Sequence, residues 1–579
     1  MATKRAELPW AFLDNWRGKT FTGDWPTLPQ MFDISAERYA DRPCFTDFEG
    51  PDGKKNTLTY KEVHQYMLQT AAWLTAAGIR KGDKVAVSGK NSPEWGTVYF
   101  GALYAGAVIV PVDYALHEKE MDNLLNTAKP KILFVDEEKY AYFSHDHEGL
   151  AVYALSPKHA DRYVYNLKSS AAVEKNPPAE PDDLAAILFT SGTTGIPKGV
   201  MLTHRNFVSD CYIAQTNLDI FAEDTFYALL PIHHAYTMQA AFIEPLSVGA
   251  EIVFGKSMAV SRLMKELKEG RITIMLGVPL LYNKLLAGVK KGVRAKGPVV
   301  AVVMKFLMGL SYLIKKIFKK NPGKVLFRAV LEQANIYTLR VAICGGGPLA
   351  ASVFRAYNEA GIDFIQGYGL TETSPIIALN PLDHFKINSV GRDFSPWEEM
   401  KILDPDEEGI GEVAVKGPMV MKGYYNMPEE TAALMTPDGF LKTGDIGRLD
   451  SEHYLILMGR AKNIIVTEGG KNVYPEEIED SFQLYDDIEQ ITVQKYMEKA
   501  ASKAEGIEAL IYPADQVYER LKVSRNDPVS DADVLAEINE SVDKVNRTLQ
   551  PYARITKVTI LSEPLEMTTT RKVKRNYSN

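Results

Sequence analysis

The feature that most restricts the fold is an alternation of short apolar runs with longer stretches of helical spacing, sustained as far as residue 279. "LTYKEVHQYMLQTAAWLTAAG" spaces its apolar residues as a helix does and stops at Gly78. "KVAVSG" then reads as strand, "EWGTVYFGALYAGA" as helix and "VIVPVD" as strand. "KILFVDE", "LAAILFT", "AEIVFG" and "ITIMLGVP" continue the series. Strands linked through helices by short connections pair mainly in parallel, which predicts an α/β protein of parallel-rich sheets covered by helices. At 579 residues the chain exceeds what one core usually serves, so two or more domains are expected.

The hydrophobic content of 46% and charged content of 24% are those of an ordinary globular protein. A net charge of -8 argues against nucleic acid as a partner, because phosphate-backbone binding needs a basic footprint. Cys44, Cys211 and Cys344 are far apart and form no CxxC pair, which points to a reducing compartment rather than a disulfide framework or zinc site. The N-terminal "MATKRAELPWAFLDNW" lacks the apolar core of a signal peptide, so a cytoplasmic setting is expected. "SHDHEG" supplies two histidines without a placed third ligand and reads as surface.

Two segments break the alternation. In "PVVAVVMKFLMGLSYLIKKIFKKNPGK", Lys305, Lys315, Lys316, Lys319 and Lys320 fall within an arc of about 140° on a helix, and the remaining face is apolar. Two readings stand: a helix of residues 298–320 lying on an anionic membrane face, or a core helix with its lysines toward water. Lys305 interrupts the apolar run and disfavours a spanning helix. The second break is "LILMGRAKNIIVTEGGKNVYPEEIEDSF", where a polar turn and a Gly-Gly loop lead into a helix opened by Pro475 and two glutamates. Beyond it there is room for a separate α+β domain.

The stretch "ILFTSGTTGIPKGVMLTH" sits between an apolar run and an expected helix start. It is not a Walker loop, because Lys198 precedes Gly199 instead of following the last glycine. Gly192 and Gly195 free the backbone to present N–H groups, and Thr190, Ser191, Thr193 and Thr194 add hydroxyls. With the charge of Lys198 these groups suit a polyphosphate.

"FTSGTTGIPKGV" resembles the signature of the adenylate-forming superfamily of acyl-CoA synthetases, luciferases and nonribosomal adenylation domains. Further motifs follow in the superfamily's order. "LLPIHHAYTM" resembles the segment lining the acyl pocket, with His234 on the motif histidine. "ICGGGPLA", with Gly345, Gly346, Gly347 and Pro348, resembles the backbone beside adenine and the acyl carboxylate. "QGYGLTETSP" spans Gln366, Gly367, Tyr368 and Gly369; the resemblance implies that Tyr368 stacks on adenine, Thr371 contacts the α-phosphate and Glu372, with Thr190, binds Mg²⁺. "LKTGDIGRLD" places Asp445 on the ribose hydroxyls, Arg460 falls on a nucleotide contact and Lys462 on the hinge residue. "PLEMTTTRKVKR" aligns Lys572 with the catalytic lysine, although Arg571 replaces a common glycine and Glu566 and Met567 replace Pro-Lys; Lys574 sits two places too far along.

The resemblance covers essentially the whole chain and is strongest to bacterial long-chain fatty acyl-CoA synthetases. It implies an N-terminal adenylation domain over residues 1–459 that includes a distorted β-barrel subdomain. A hinge at 460–463 and a mobile α+β domain over 464–579 would follow. The expected reaction joins a medium-to-long-chain fatty acid to AMP, releases pyrophosphate and passes the acyl group to coenzyme A. ATP, Mg²⁺ and coenzyme A would be required, and Gly469 and Gly470 would approach the thiol channel. Alternatives are an acyl-AMP ligase, an acyl–carrier-protein synthetase, an aryl-CoA ligase, or an inactive membrane-associated nucleotide-binding protein. The setting would be cytoplasmic, with 298–320 as a peripheral contact on the inner membrane face; chain length, acceptor and oligomeric state stay open.

Overall fold

The computed structural model describes residues 8–145, 147, 149–169, 176–190, 197–347, 349–467, 471–483, 485–499, 502–525 and 531–567. Among these the strands form sheets of thirteen, seven, three and two strands in an α/β arrangement. In the seven-stranded sheet, Leu184–Thr190, Val108–Pro111, Lys84–Ser88, Ile132–Val135 and Ala151–Ala154 run parallel. The three strands Val108–Pro111, Lys84–Ser88 and Ile132–Val135 read in the sequence as short apolar runs because sheets covered on both faces leave no polar side. Helices Tyr60–Ala76 and Pro93–Tyr104 cross between strands, the second buried at every position from Pro93 to Leu103.

The thirteen-stranded sheet changes character along its width. Pro43–Asp47, Glu251–Phe254, Thr225–Ala228, Ile274–Gly277, Val341–Cys344 and Asp363–Gly369 pair in parallel. From Ile376–Leu379 to Glu399–Leu403 the pairing is antiparallel, so the large sheet is mixed. Asp363–Gly369 is the junction: Gln366 pairs in parallel with Cys344, and two residues on Tyr368 pairs antiparallel with Ala378. Residues 465–560 hold their own small core around Val493, Ile511 and Ile538, backed by the sheet Ile488–Lys499, Ser502–Pro513 and Ile555–Ile560.

The glycine-rich loop is followed by the strand Lys198–Thr203, paired antiparallel with Leu184–Thr190. The expected helix begins at His204, where Thr203 and Asn206 cap one another. One expectation is corrected: the lysine arc of the helix Pro298–Phe318 does not face water as a unit. Lys315 turns inward, with its Nζ 2.6 Å from Asp363 Oδ1, and much of the apolar face is exposed.

Buried carboxyls give the fold a pH dependence. Glu244 is 2% exposed, and burial pushes its pKa up to about 8. Asp210 is also raised, by burial first and then by the charges of Glu244 and Glu398. Glu244 is thus protonated when folded and ionised when unfolded at neutral pH. The contribution of Glu244 is therefore complete below its unfolded value of 4.5 and is lost as pH rises through about 8. Glu244→Gln should flatten the fall in unfolding free energy between pH 5 and 8 by on the order of 4 kcal/mol, measured by urea titration at each pH. An unchanged slope would mean that Glu244 is ionised in the folded protein.

Candidate functional site

The open ends of the strands Leu184–Thr190 and Lys198–Thr203 bring Thr190 opposite Lys198, and the Thr190 hydroxyl lies 3.4 Å from the Lys198 carbonyl. Ser191, Gly192, Thr193, Thr194 and Gly195, between these ends, lie outside the described residues. On the other edge of Lys198–Thr203 the short strand Gly423–Tyr424 pairs antiparallel. It places the Tyr424 ring 4.9 Å from the Lys198 ammonium, within cation–π range. The Tyr424 hydroxyl donates to Glu372 Oε1 at 2.7 Å, and the Met421 N–H donates to the Glu372 carbonyl at 2.9 Å. Burial, and after it the Glu372 carboxylate, raise the Tyr424 pKa, so the phenol remains a proton donor. Lys198, Tyr424 and Glu372 thus form one constellation at the mouth of the glycine-rich loop, with Thr371 beside Glu372 in the single turn Thr371–Thr373.

A second constellation lies at the junction of the large sheet. Asp445 and Arg460 are cross-strand partners on Leu441–Leu449 and Tyr454–Arg460, and Arg460 Nε is 2.8 Å from Asp445 Oδ1. The Tyr368 hydroxyl donates to Asp445 Oδ2. Asp445 is buried, and its backbone N–H donates to Thr443 Oγ1 at 3.1 Å. Burial and then the Asp445 charge raise the Tyr368 pKa. The carboxylate is fixed from two sides, and hydrogen bonds to a charged acceptor are stronger than neutral ones.

Gly345–Gly347 follow the strand Val341–Cys344, at the carboxyl end of the parallel limb where open α/β sheets bind ligands. The Gly345 N–H donates to the Gly277 carbonyl, and a Cβ at Gly345 would come within 2.9 Å of the Tyr236 ring. Gly346 has φ +76°, which favours glycine. The Tyr236 hydroxyl donates to the Ile343 carbonyl at 3.1 Å, tying "HHAYTM" to the glycine triplet. Gln366, buried in the neighbouring strand, is paired with Cys344; Gly367 and Gly369 follow it around Tyr368.

His234 precedes the short helix Ala235–Thr237, and its ring lies 4.2 Å from that of His233. His233 Nε2 is 3.3 Å from Asp113 Oδ1. Burial pushes the Asp113 carboxyl up, but its contacts with His233, the Ala115 N–H and the charge of His234 outweigh this and hold it well below the usual range. The ligating atoms of Asp113, His233 and His234 lie within 4.8 Å of one another, close enough to share an ion. Two imidazoles suit a transition metal, whereas the oxygens of Glu372 and Thr190 suit Mg²⁺.

The C-terminal residues rest against this region. Gln483 Oε1 accepts from the Ala350 N–H at 2.8 Å, just beyond the glycine triplet, and Asn463 donates to Glu476. Lys462 lies in the turn Ala461–Asn463, between the strand Tyr454–Arg460 and the hairpin Ile465–Val466/Asn472–Val473. Pro348, Gly469, Gly470 and Lys572 lie outside the described residues.

Sequence reasoning missed Tyr424, Tyr236 and the Asp113–His233 pair. Tyr424 carries no local signal, because its partners are 52 residues away at Glu372 and further still at Lys198. Asp113 follows a strand end and becomes notable only when His233 reaches it.

A family model described as AMP-binding enzyme matches residues 32–425. A feruloyl-CoA synthase from Amycolatopsis sp is 28% identical over 446 residues, covering 75% of this chain and 80% of the relative. The long-chain-fatty-acid–CoA ligase FadD15 of Mycobacterium tuberculosis is 28% identical over 568 residues, covering 90% of each. The solved structure of ATP-bound MatB from Rhodopseudomonas palustris is 26% identical, with a TM-score of 0.72 and coverage of 95% of this chain and 97% of that one. With over two thirds of its length matched to the family model, the chain belongs to the AMP-binding, adenylate-forming enzyme superfamily.

Proposed function

We propose that this adenylate-forming acid–CoA ligase acts on medium-to-long-chain fatty acids. The observation that carries the nucleotide part is the convergence of Tyr368, Asp445 and Arg460, with Tyr368 on the strand that neighbours Val341–Cys344. Tyr368 would stack on adenine, Asp445 would accept from both ribose hydroxyls, and Arg460 would approach the nucleotide. Thr190, Lys198 and the intervening loop would hold the β- and γ-phosphates, and Glu372 would meet the Mg²⁺ that arrives with ATP. Extended resemblance to a long-chain fatty acid ligase supports the choice of acid.

In the first step a carboxylate oxygen of the acid bonds to the α-phosphorus and the bond to the bridging β-phosphate oxygen breaks, releasing pyrophosphate. Charge gathers on phosphoryl oxygens, so fixed donors and cations supply most of the catalysis. Lys572 would bridge the acid and the α-phosphate. Residues 464–579 would then turn about Lys462, withdraw Lys572 and bring Gly469 and Gly470 to the thiol path. The thiolate of coenzyme A attacks the acyl carbon and AMP leaves; closure keeps water from the acyl-adenylate.

The test is pyrophosphate release from ATP and Mg²⁺ across a panel of short to long fatty acids and aryl acids, each with and without coenzyme A. Release that depends on long-chain acids and is accelerated by coenzyme A supports the proposal, and Lys572→Ala should then lose it. A preference for aryl or malonyl acids would replace the substrate class. Release without thioester would shift the reading to an acyl-AMP ligase or a carrier-protein acceptor. No release with any acid would leave the inactive membrane-associated protein as the better account.

A further inference from the structure

The helix Pro298–Phe318 is attached to the body of the protein by one face only. On that face Lys315 Nζ lies 2.6 Å from both Asp363 Oδ1 and Asn358 Oδ1, and Met304, Leu307 and Met308 pack against the core around Tyr282 and Phe354. The other face is apolar and open. Val299, Val302, Phe306, Leu313 and Ile317 recur at helical spacing with 52–73% of their surface exposed. Val325, in the following helix Gly323–Leu326, is 78% exposed. Large exposed apolar faces of this kind mark interaction sites.

The surrounding charge identifies the partner. From Gly270 to Leu331 the chain carries thirteen lysines and arginines and no aspartate or glutamate, within a protein whose net charge is -8. Lys305 and Lys316 are exposed and lie along one edge of the apolar stripe at about 100° per residue. A second copy of the chain apposed through this face would bring two basic segments together. An anionic bilayer offers hydrocarbon to the stripe and negative headgroups to its fringe.

We propose that this face docks on the surface of an anionic lipid bilayer, with the helix lying in the interfacial plane. The helix is long and apolar enough to cross a membrane by composition, with a mean hydropathy of 1.6. Leaving the body of the protein, however, would separate the buried Lys315 from Asp363 and strand a charge, which opposes spanning. The proposal does not depend on which acid the enzyme activates.

Co-sedimentation of the full chain with vesicles of phosphatidylcholine alone, or containing phosphatidylglycerol, tests it without ATP or acid. The protein should partition onto the anionic vesicles, less so at high salt. Phe306→Asp/Leu313→Asp should weaken partitioning more than tenfold with an unchanged melting temperature, because both side chains contact solvent in the free protein. Lys305→Glu/Lys316→Glu should weaken binding to anionic vesicles by about fivefold or more per lysine and leave neutral vesicles unaffected. No partitioning onto anionic vesicles, or partitioning that both variants retain, overturns the proposal. A concentration-dependent dimer in analytical ultracentrifugation that Phe306→Asp/Leu313→Asp abolishes also overturns it, since a second copy would then cover the face.

Discussion

Asp445→Asn is expected to lower kcat/KM for ATP by about 10²–10³-fold, the equivalent of about 3–4 kcal/mol. The carboxylate is buried and fixed by Tyr368 and Arg460, so it is held in place before any ribose arrives. An amide of the same shape retains one acceptor oxygen but loses the charge that strengthens its hydrogen bonds, and its NH₂ faces the Arg460 or ribose donors. Stability should change much less, because Arg460 is 42% exposed and water can take over its solvation. The measurement is ATP–pyrophosphate exchange over a range of ATP concentrations, with a thermal melt alongside. A large loss of melting temperature with unchanged affinity for ATP would make Asp445 a structural residue and remove the ribose assignment.

Glu372→Gln is expected to lower the rate of pyrophosphate release by about 10²–10³-fold at saturating ATP, with a raised requirement for Mg²⁺. Binding of AMP, which needs no metal in this scheme, should stay within about threefold of the parent, a change below 1 kcal/mol. The geometry separates the two effects. Glu372 belongs to the Lys198–Tyr424 constellation by the glycine-rich loop, whereas the nucleoside contacts centre on Asp445. Tyr424→Phe leaves the carboxylate and removes one hydrogen-bond donor to it, so its effect should be about tenfold or less. Magnesium titrations of both variants, followed by isothermal titration with AMP, distinguish loss of a metal contact from collapse of the site. Equal losses of AMP binding and pyrophosphate release would sink the separation.

Much of this organisation was legible in the amino-acid sequence because the signals are local. Val85–Val87, Ile109–Val110 and Leu133–Val135 are apolar at successive positions because they are buried on both faces of a parallel-rich sheet. Helix Tyr60–Ala76 has Thr59 and Glu62 as a capping box and a glycine at φ +93° just after its end, all within twenty residues. Gly345 and Gly346 occupy positions that suit glycine, where a side chain would meet the Tyr236 ring at the first and a positive φ at the second. What remained hidden were contacts between distant segments: Tyr424 reaching Glu372, Asp113 reaching His233, and Gln483 reaching the backbone at Ala350.

Helix Pro298–Phe318 marks the boundary. By itself the sequence determined that its lysines and its apolar residues occupy different sectors, since 100° per residue follows from the backbone geometry. The same property could serve a buried helix such as Pro93–Tyr104, which is enclosed on all sides. Only the tertiary structure decided which sector meets the protein. Asp363 and Asn358 offer Lys315 two acceptors inside, so that one lysine turns inward and Phe306 and Ile317 are left outside. Periodicity fixes which residues share a face; the residues available opposite that face, contributed from elsewhere in the chain, determine where it points.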